Sequence, residues 1–161
     1  MTTDHLLRAR GIRKSFPGVK ALDGVQLDVV AGEVHALLGE NGAGKSTLLK
    51  ILAGAQPADE GTIEFEGHTL SPADTPMLRQ RTGIVTIYQE FNLLPALSVA
   101  ENMYIGREPL RNGLIHWSRL YEDAGKVIRD LGIDLDPRDE VRSLSVAKQQ
   151  MVEIAKAMTV K

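Results

Sequence analysis

The sequence predicts an α/β fold: a β-rich front, a phosphate-binding loop that joins a buried strand to a helix, and a helical rear portion. Three observations carry this. Residues 39–47 read Gly-Glu-Asn-Gly-Ala-Gly-Lys-Ser-Thr, a complete Gly-x-x-x-x-Gly-Lys-Ser pattern. The apolar run Val34-His35-Ala36-Leu37-Leu38 before it has the length of a buried strand. After it, Leu48, Leu49, Ile51 and Leu52 have helical spacing, and Gly54 is placed to stop the helix. Beyond Gln89 the pattern turns helical, with hydroxyl residues standing where caps are needed.

The elements follow in order. Residues 5–16 and 25–30 alternate in part, as in Val25-Gln26-Leu27-Asp28-Val29, and Ala31-Gly32-Glu33 turns the chain toward the loop. The cluster Gln56-Pro57-Ala58-Asp59-Glu60-Gly61 is a turn leading into a half-exposed strand at Thr62–Gly67. A connection through Pro72 and Pro76 precedes Gly83–Tyr88, a β-branched run that reads as a strand buried on both faces. Ser98-Val99-Ala100-Glu101 is a capping box. Ser118 is the expected cap of a second helix with Leu120, Ala124, Val127, Ile128 and Leu131 on one face and Gly132 as its stop. A third helix starts near Ser145, with Ala147, Met151, Ile154, Ala155 and Met158 on one face. One domain spans 1–161, with a subdomain change near residue 92: a β subdomain and loop core over 1–91, a helical subdomain over 92–161.

Composition narrows the classes. The 161 residues are 43% hydrophobic but only 4% aromatic, so burial rests on Leu, Val, Ile and Ala. With no cysteine, disulfides, thiolate metal sites and cysteine nucleophiles are excluded. A net charge of −2 supplies no global field for nucleic acid. The start, Met-Thr-Thr-Asp-His, has no signal pattern, and no stretch approaches eighteen apolar residues. A soluble cytoplasmic location is the default expectation.

The loop's residue types dictate its chemistry. Gly39, Gly42 and Gly44 free the backbone to aim N–H groups at one anion, with Glu40, Asn41 and Ala43 between them. The following helix adds unpaired N–H groups and its positive dipole end. Lys45 is expected to bridge the β- and γ-phosphates of a nucleotide and the Ser46 hydroxyl to ligate Mg2+, with Thr47 continuing the first turn.

A bare phosphate loop names a ligand rather than a job. Further segments narrow it: Lys14-Ser15-Phe16-Pro17-Gly18-Val19-Lys20-Ala21-Leu22, then Tyr88-Gln89-Glu90-Phe91, then Ser143-Leu144-Ser145-Val146-Ala147-Lys148-Gln149-Gln150-Met151. In this order they resemble an ABC-type ATPase. The wording, including Phe91-Asn92-Leu93-Leu94-Pro95, Val99-Ala100-Glu101-Asn102 and Gly106-Arg107-Glu108, is most similar to the first nucleotide-binding domain of sugar importers of the ribose, xylose and galactose group. The resemblance implies a P-loop NTPase core of the ABC ATPase type, with an N-terminal antiparallel β subdomain and a helical subdomain. It implies ATP and Mg2+ as cofactors.

Roles carry over by position. Phe16 matches the aromatic that stacks on adenine, although on residue type alone it reads as a core or hairpin Phe. Gln89 matches the glutamine that completes the Mg2+ shell beside Ser46 and helps place the attacking water; a polar strand end is the plainer reading. Leu144, Ser145, Val146, Ala147 and Lys148 match the signature, which in this family closes over the γ-phosphate held by a partner domain. Val146, Ala147 and Lys148 replace the usual two glycines and glutamine, which restricts close approach. Lys148 has two readings, a phosphate contact or a solvated helix face.

The family pattern continues past the signature helix to an apolar strand ending in Asp-Glu and then a switch His. No such run follows Gln150 here, and His5, His35, His68 and His116 all lie upstream. His35 is expected within a core strand, the other three at the surface or in loops. The resemblance implies that this chain binds MgATP weakly and hydrolyses it poorly or not at all, as those parts position the water. It also implies an incomplete central sheet with unpaired edges.

Three functions compete. An importer ATPase would couple MgATP binding and hydrolysis to carbohydrate uptake. It would sit on the cytoplasmic side of the plasma membrane with permease subunits, a periplasmic sugar-binding protein and a second nucleotide-binding domain or homodimer partner. A non-transport ABC ATPase acting on nucleic acid or ribosomes is the second. The hundred positions between Lys45 and Ser145 carry no heptad run, against chromosome and repair ATPases. A binding-only module without turnover is the third. Motif order favours the first, with no nucleic acid as partner; the sugar itself is not legible.

Overall fold

The computed structural model describes residues 5–88 and 90–160. The chain divides into two compact units, Met1–Ile84 and Val85–Lys161.

The first unit is a twisted antiparallel sheet with a helix packed on it. Strands β1 (His5–Phe16) and β2 (Val19–Val30) form a long hairpin joined at Pro17-Gly18, where Pro fixes the first turn position and Gly18, at φ 78°, the second. Strands β3 (Glu60–Phe65) and β4 (His68–Thr69) complete the order β2-β1-β3-β4. The buried β1 residues are Leu7, Ala9 and Ile12. Their spacing steps from two to three because the register shifts between Ala9 and Ile12. Helix α1 (Lys45–Leu52) lays Leu48, Ile51 and Leu52 against these residues and against Leu22 and Ile63. Helix α2 (Pro76–Thr82) follows, capped by the Thr75 hydroxyl with Pro76 in its first turn.

The second unit is helical. Helix α3 (Val99–Tyr104) starts at the capping box expected from the sequence, Ser98 and Glu101 each satisfying the other's backbone donor. The two-residue strands β5 (Leu110–Arg111) and β6 (Leu114–Ile115) form a small hairpin. Helix α4 (Trp117–Asp130) and helix α5 (Val146–Met158) then pack on α3, burying Val99, Met103, Leu120, Ala124, Ile128, Val152 and Ala155 around one core.

Five expectations need correction. Val34–Leu38 forms no strand: residues 33–40 belong to no helix or strand and have no ladder partners, Val34 is 100% exposed and Leu38 87%. Gly83–Tyr88 likewise forms no strand among its described residues, and Val85, Ile87 and Tyr88 are exposed. Both runs have strand composition, but a strand needs a neighbour to take its N–H and C=O groups, and none of the described strands pairs with them. His35 therefore lies in no core strand; it is exposed, its Nδ1 2.6 Å from Glu33 Oε1. The cap of α4 is His116 rather than Ser118: its Nδ1 accepts from the Arg119 amide at 3.2 Å, so the helix begins one residue before Ser118. On α5 the buried face is set by Val152 and Ala155, while Ala147 and Met158 are exposed.

Candidate functional site

The phosphate-loop sequence folds into a compact turn at the start of α1. The Ala43 amide donates to the Glu40 carbonyl at 3.1 Å, closing the turn, and Gly42 and Gly44 take φ 86° and 84°. The Lys45 ammonium reaches back across the loop to the carbonyls of Gly39 at 2.6 Å and Glu40 at 2.7 Å. It is thereby held back across the loop, whose residue types are those that aim backbone donors at an anion. No side chain caps α1 and no acidic residue occupies its first turn. The amides of Lys45, Ser46 and Thr47 precede the first helical bond, from Leu48 N to Gly44 O at 2.9 Å. Glu40, Asn41 and the Ser46 side chain are exposed, and Thr47 is half-buried.

The position of the loop is set by a close approach at Gly44. A Cβ there would fall 2.4 Å from the Ala21 carbonyl oxygen and 2.8 Å from Leu22 Cδ2. Only glycine allows α1 to begin against β2 at this height. Leu22 pairs with Lys14 across the hairpin, and Phe16 pairs with Val19. The exposed Phe16 ring thus stands about three strand residues, roughly 10 Å, along the sheet from the loop's contact point. Lys14 and Asp59 hold that end of β1. Asp59 accepts from Lys14 Nζ at 2.6 Å and from the Ser15 amide at 2.7 Å, and Lys14 Nζ lies 5.9 Å from the Phe16 ring centroid. The Lys14 ammonium first, and the Ser15 amide second, hold the Asp59 carboxyl below the usual carboxylate range.

The remaining sites lie in the second unit, apart from Gln89, which is outside the described residues. Ser145 is the N-cap of α5, its Oγ accepting from the Lys148 amide at 3.4 Å. Leu144 is half-buried against the helical core, whereas Val146 and Ala147 are exposed. The Lys148 side chain turns to Asp134 Oδ2 at 3.1 Å. Gln149 Nε2 reaches back to the carbonyls of Leu144 at 3.0 Å and Val141 at 3.3 Å, so the turn before α5 is fixed by its own helix.

Sequence reasoning missed a second set of contacts on α5. Glu153 accepts from the Asn92 amide at 2.7 Å, and Lys156 donates to the Asn92 carbonyl at 3.0 Å. One helix therefore carries Ser145 at its start and, two turns on, grips both backbone groups of the residue three places after Gln89. The buried Asn102 fixes the next stretch: its Oδ1 accepts from Leu94 N at 2.7 Å, and its Nδ2 donates to the carbonyls of Leu94 and Ser98, each at 3.0 Å. No periodicity announces pairs 61 and 64 positions apart.

A glycine-turned loop over the uncapped start of a helix, with a lysine held across it, is the arrangement expected of the phosphate loop in the nucleotide-binding α/β class. Comparison with known proteins resolves the class. The family profile described as "ABC transporter" matches residues 22–161, and the chain belongs to that family. It is 53% identical over 97% of its length to a ribose import ATP-binding protein of Streptomyces avermitilis, and 50% identical over 98% to a galactofuranose transporter ATP-binding protein of Escherichia coli K12. It spans 30% and 32% of those proteins. Among solved structures, the ADP conformation of an ATP-binding cassette from an ABC transporter matches with a TM-score of 0.80 at 31% identity, covering 97% of this chain and 65% of the other.

Proposed function

We propose that this chain supplies the nucleotide-phosphate grip of an ATP-binding subunit that drives carbohydrate import. The observation that carries the reading is the phosphate loop, with Lys45 stretched over it and α1 starting uncapped beneath it. The relatives whose names specify ribose or galactofuranose transport share the sequence along nearly the whole chain, which supports the substrate class.

The residues fit a nucleotide triphosphate. Amides over 44–47 would receive phosphate oxygens, Lys45 would move from carbonyls to the β- and γ-phosphates, and Phe16 offers a flat face for the base. Mg2+ fits the donor set as a hard ion on oxygen. The Ser46 hydroxyl is exposed at the helix start, and Ser46 and Gln89 are the proposed protein ligands by their match to the family pattern. When bound, the ion neutralises phosphate charge. Ser145 would present α5's N-terminus to a nucleotide on a second domain. The proposed place of action is the cytoplasmic face of the membrane, against permease subunits fed by a sugar-binding protein. Among the described residues, no helix is long and apolar enough to cross a membrane.

Titration of the chain with adenosine, AMP, ADP and ATP tests the reading. Affinity is expected to climb with each phosphate that reaches the loop, and Lys45→Ala is expected to lower ATP affinity about tenfold or more, the scale of a charged hydrogen bond. Equal affinity for AMP and ATP would contradict it.

A further inference from the structure

A small cavity lies between the turn that ends α1 and the start of α2. Ile12, Ile51, Gln56, Ala58, Leu70 and Arg79 are among its lining residues. It leaves about 20 Å³ for the centre of a water-sized sphere, room for a single atom-sized guest. Arg79 is 2% exposed. Its Nη2 donates to the Ser71 carbonyl at 3.0 Å, while its Nε stands 3.6 Å from Asp74 Oδ2, too far for a hydrogen bond. Its Nη1 and Nε have no partner among the described residues, and neither does the buried Nε2 of Gln56.

A guanidinium cannot shed its proton to escape burial, so an unmet N–H there is costly. Burial pushes its pKa down, opposed only by the Asp74 carboxylate. Nor is the side chain free to swing away. Gly54, at φ 72°, presses the α1 turn onto its stem so closely that a Cβ would sit 2.7 Å from Arg79 Cγ and 2.8 Å from the Asp74 carbonyl oxygen. The two residues that carry these unpaired donors, one of them cationic, therefore both line a space that fits one small acceptor.

We propose that this cavity binds one compact hydrogen-bond acceptor, a water molecule or a halide ion, held between Arg79 Nη1 and Gln56 Nε2. The guest ties the turn after α1 to α2 and completes the pairing of a buried cation. Its seat is independent of the function proposed above.

A crystal structure of the chain grown in sodium bromide tests this. A peak within hydrogen-bond distance of both nitrogens is expected, with anomalous signal if the guest is a halide and without it if the guest is water. A dry cavity, or one closed by the Gln56 carbonyl oxygen turned onto Arg79, would overturn the proposal. Gln56→Leu, at a half-buried rim position, leaves Arg79 in place and is expected to remove the peak or cut its occupancy at least about twofold. An undiminished peak on Arg79 alone would overturn the two-point site.

Discussion

At the scale of single residues, Gly44 and Asp59 hold the two ends of the candidate nucleotide site in place. Gly44 combines a left-handed φ with an approach to the Ala21 carbonyl that leaves no room for a Cβ, so Gly44→Ala forces both strain and a displacement of α1. A loss of about 1–3 kcal/mol is expected in denaturant unfolding, together with weaker ATP binding; unchanged values for both would show that the loop height is not set there. Asp59 anchors Ser15 and Lys14 beside Phe16. Because its folded pKa is lowered, its contribution is fully present above about pH 4, where an unfolded Asp is ionised, and is lost as pH falls through the lowered folded value. The difference in unfolding midpoint between wild type and Asp59→Asn is therefore expected to be constant from about pH 5 to 7 and to shrink in acid. A gap that persists in acid would mean the carboxylate charge is not what holds the strand end.

Elements differ in how far their own sequence specifies them. Helix α3 is announced by Ser98-Val99-Ala100-Glu101, because a capping box is a local exchange of hydrogen bonds. Ser98→Ala is expected to cost about 1 kcal/mol. Asn102→Leu is expected to cost about 1–3 kcal/mol, since the hydrogen bonds of the buried Asn102 to the Leu94 N–H and C=O are lost. If hydrogen exchange over 94–98 is unaltered in the second variant, Asn102 does not fix that stretch. The apolar face of α4 was equally legible, but its cap was not: His116 is a rarer cap than Ser118, and only the observed turn shows which residue meets the Arg119 amide. The grip of Glu153 and Lys156 on Asn92 was invisible for a different reason, as it joins residues far apart in the chain. Glu153→Ala is expected to speed exchange of the Asn92 amide several-fold.

Across the whole molecule, two cores form from what each stretch finds in its own unit, one of sheet and helix and one of three helices. The phosphate loop was legible because its chemistry is contained in nine consecutive residues. The runs Val34–Leu38 and Gly83–Tyr88 were misread because strand composition states a capacity to pair and says nothing of whether a partner is present. Their exposed Val34, Leu38, Val85 and Ile87, with unpaired backbone beside them, make the chain a candidate for edge association. Light scattering is expected to show concentration-dependent self-association that Leu38→Lys weakens; a dilute and concentrated chain of identical mass would contradict this.

The measurement that bears most directly on the central claim is an amide chemical-shift map of the chain on titration with ATP. The largest shifts are expected at residues 39–47, with a second set near Phe16, and inorganic triphosphate is expected to reproduce the first set without the second. Shifts confined to residues 90–160, or none over 39–47, would contradict the assignment of this loop as the nucleotide-phosphate site.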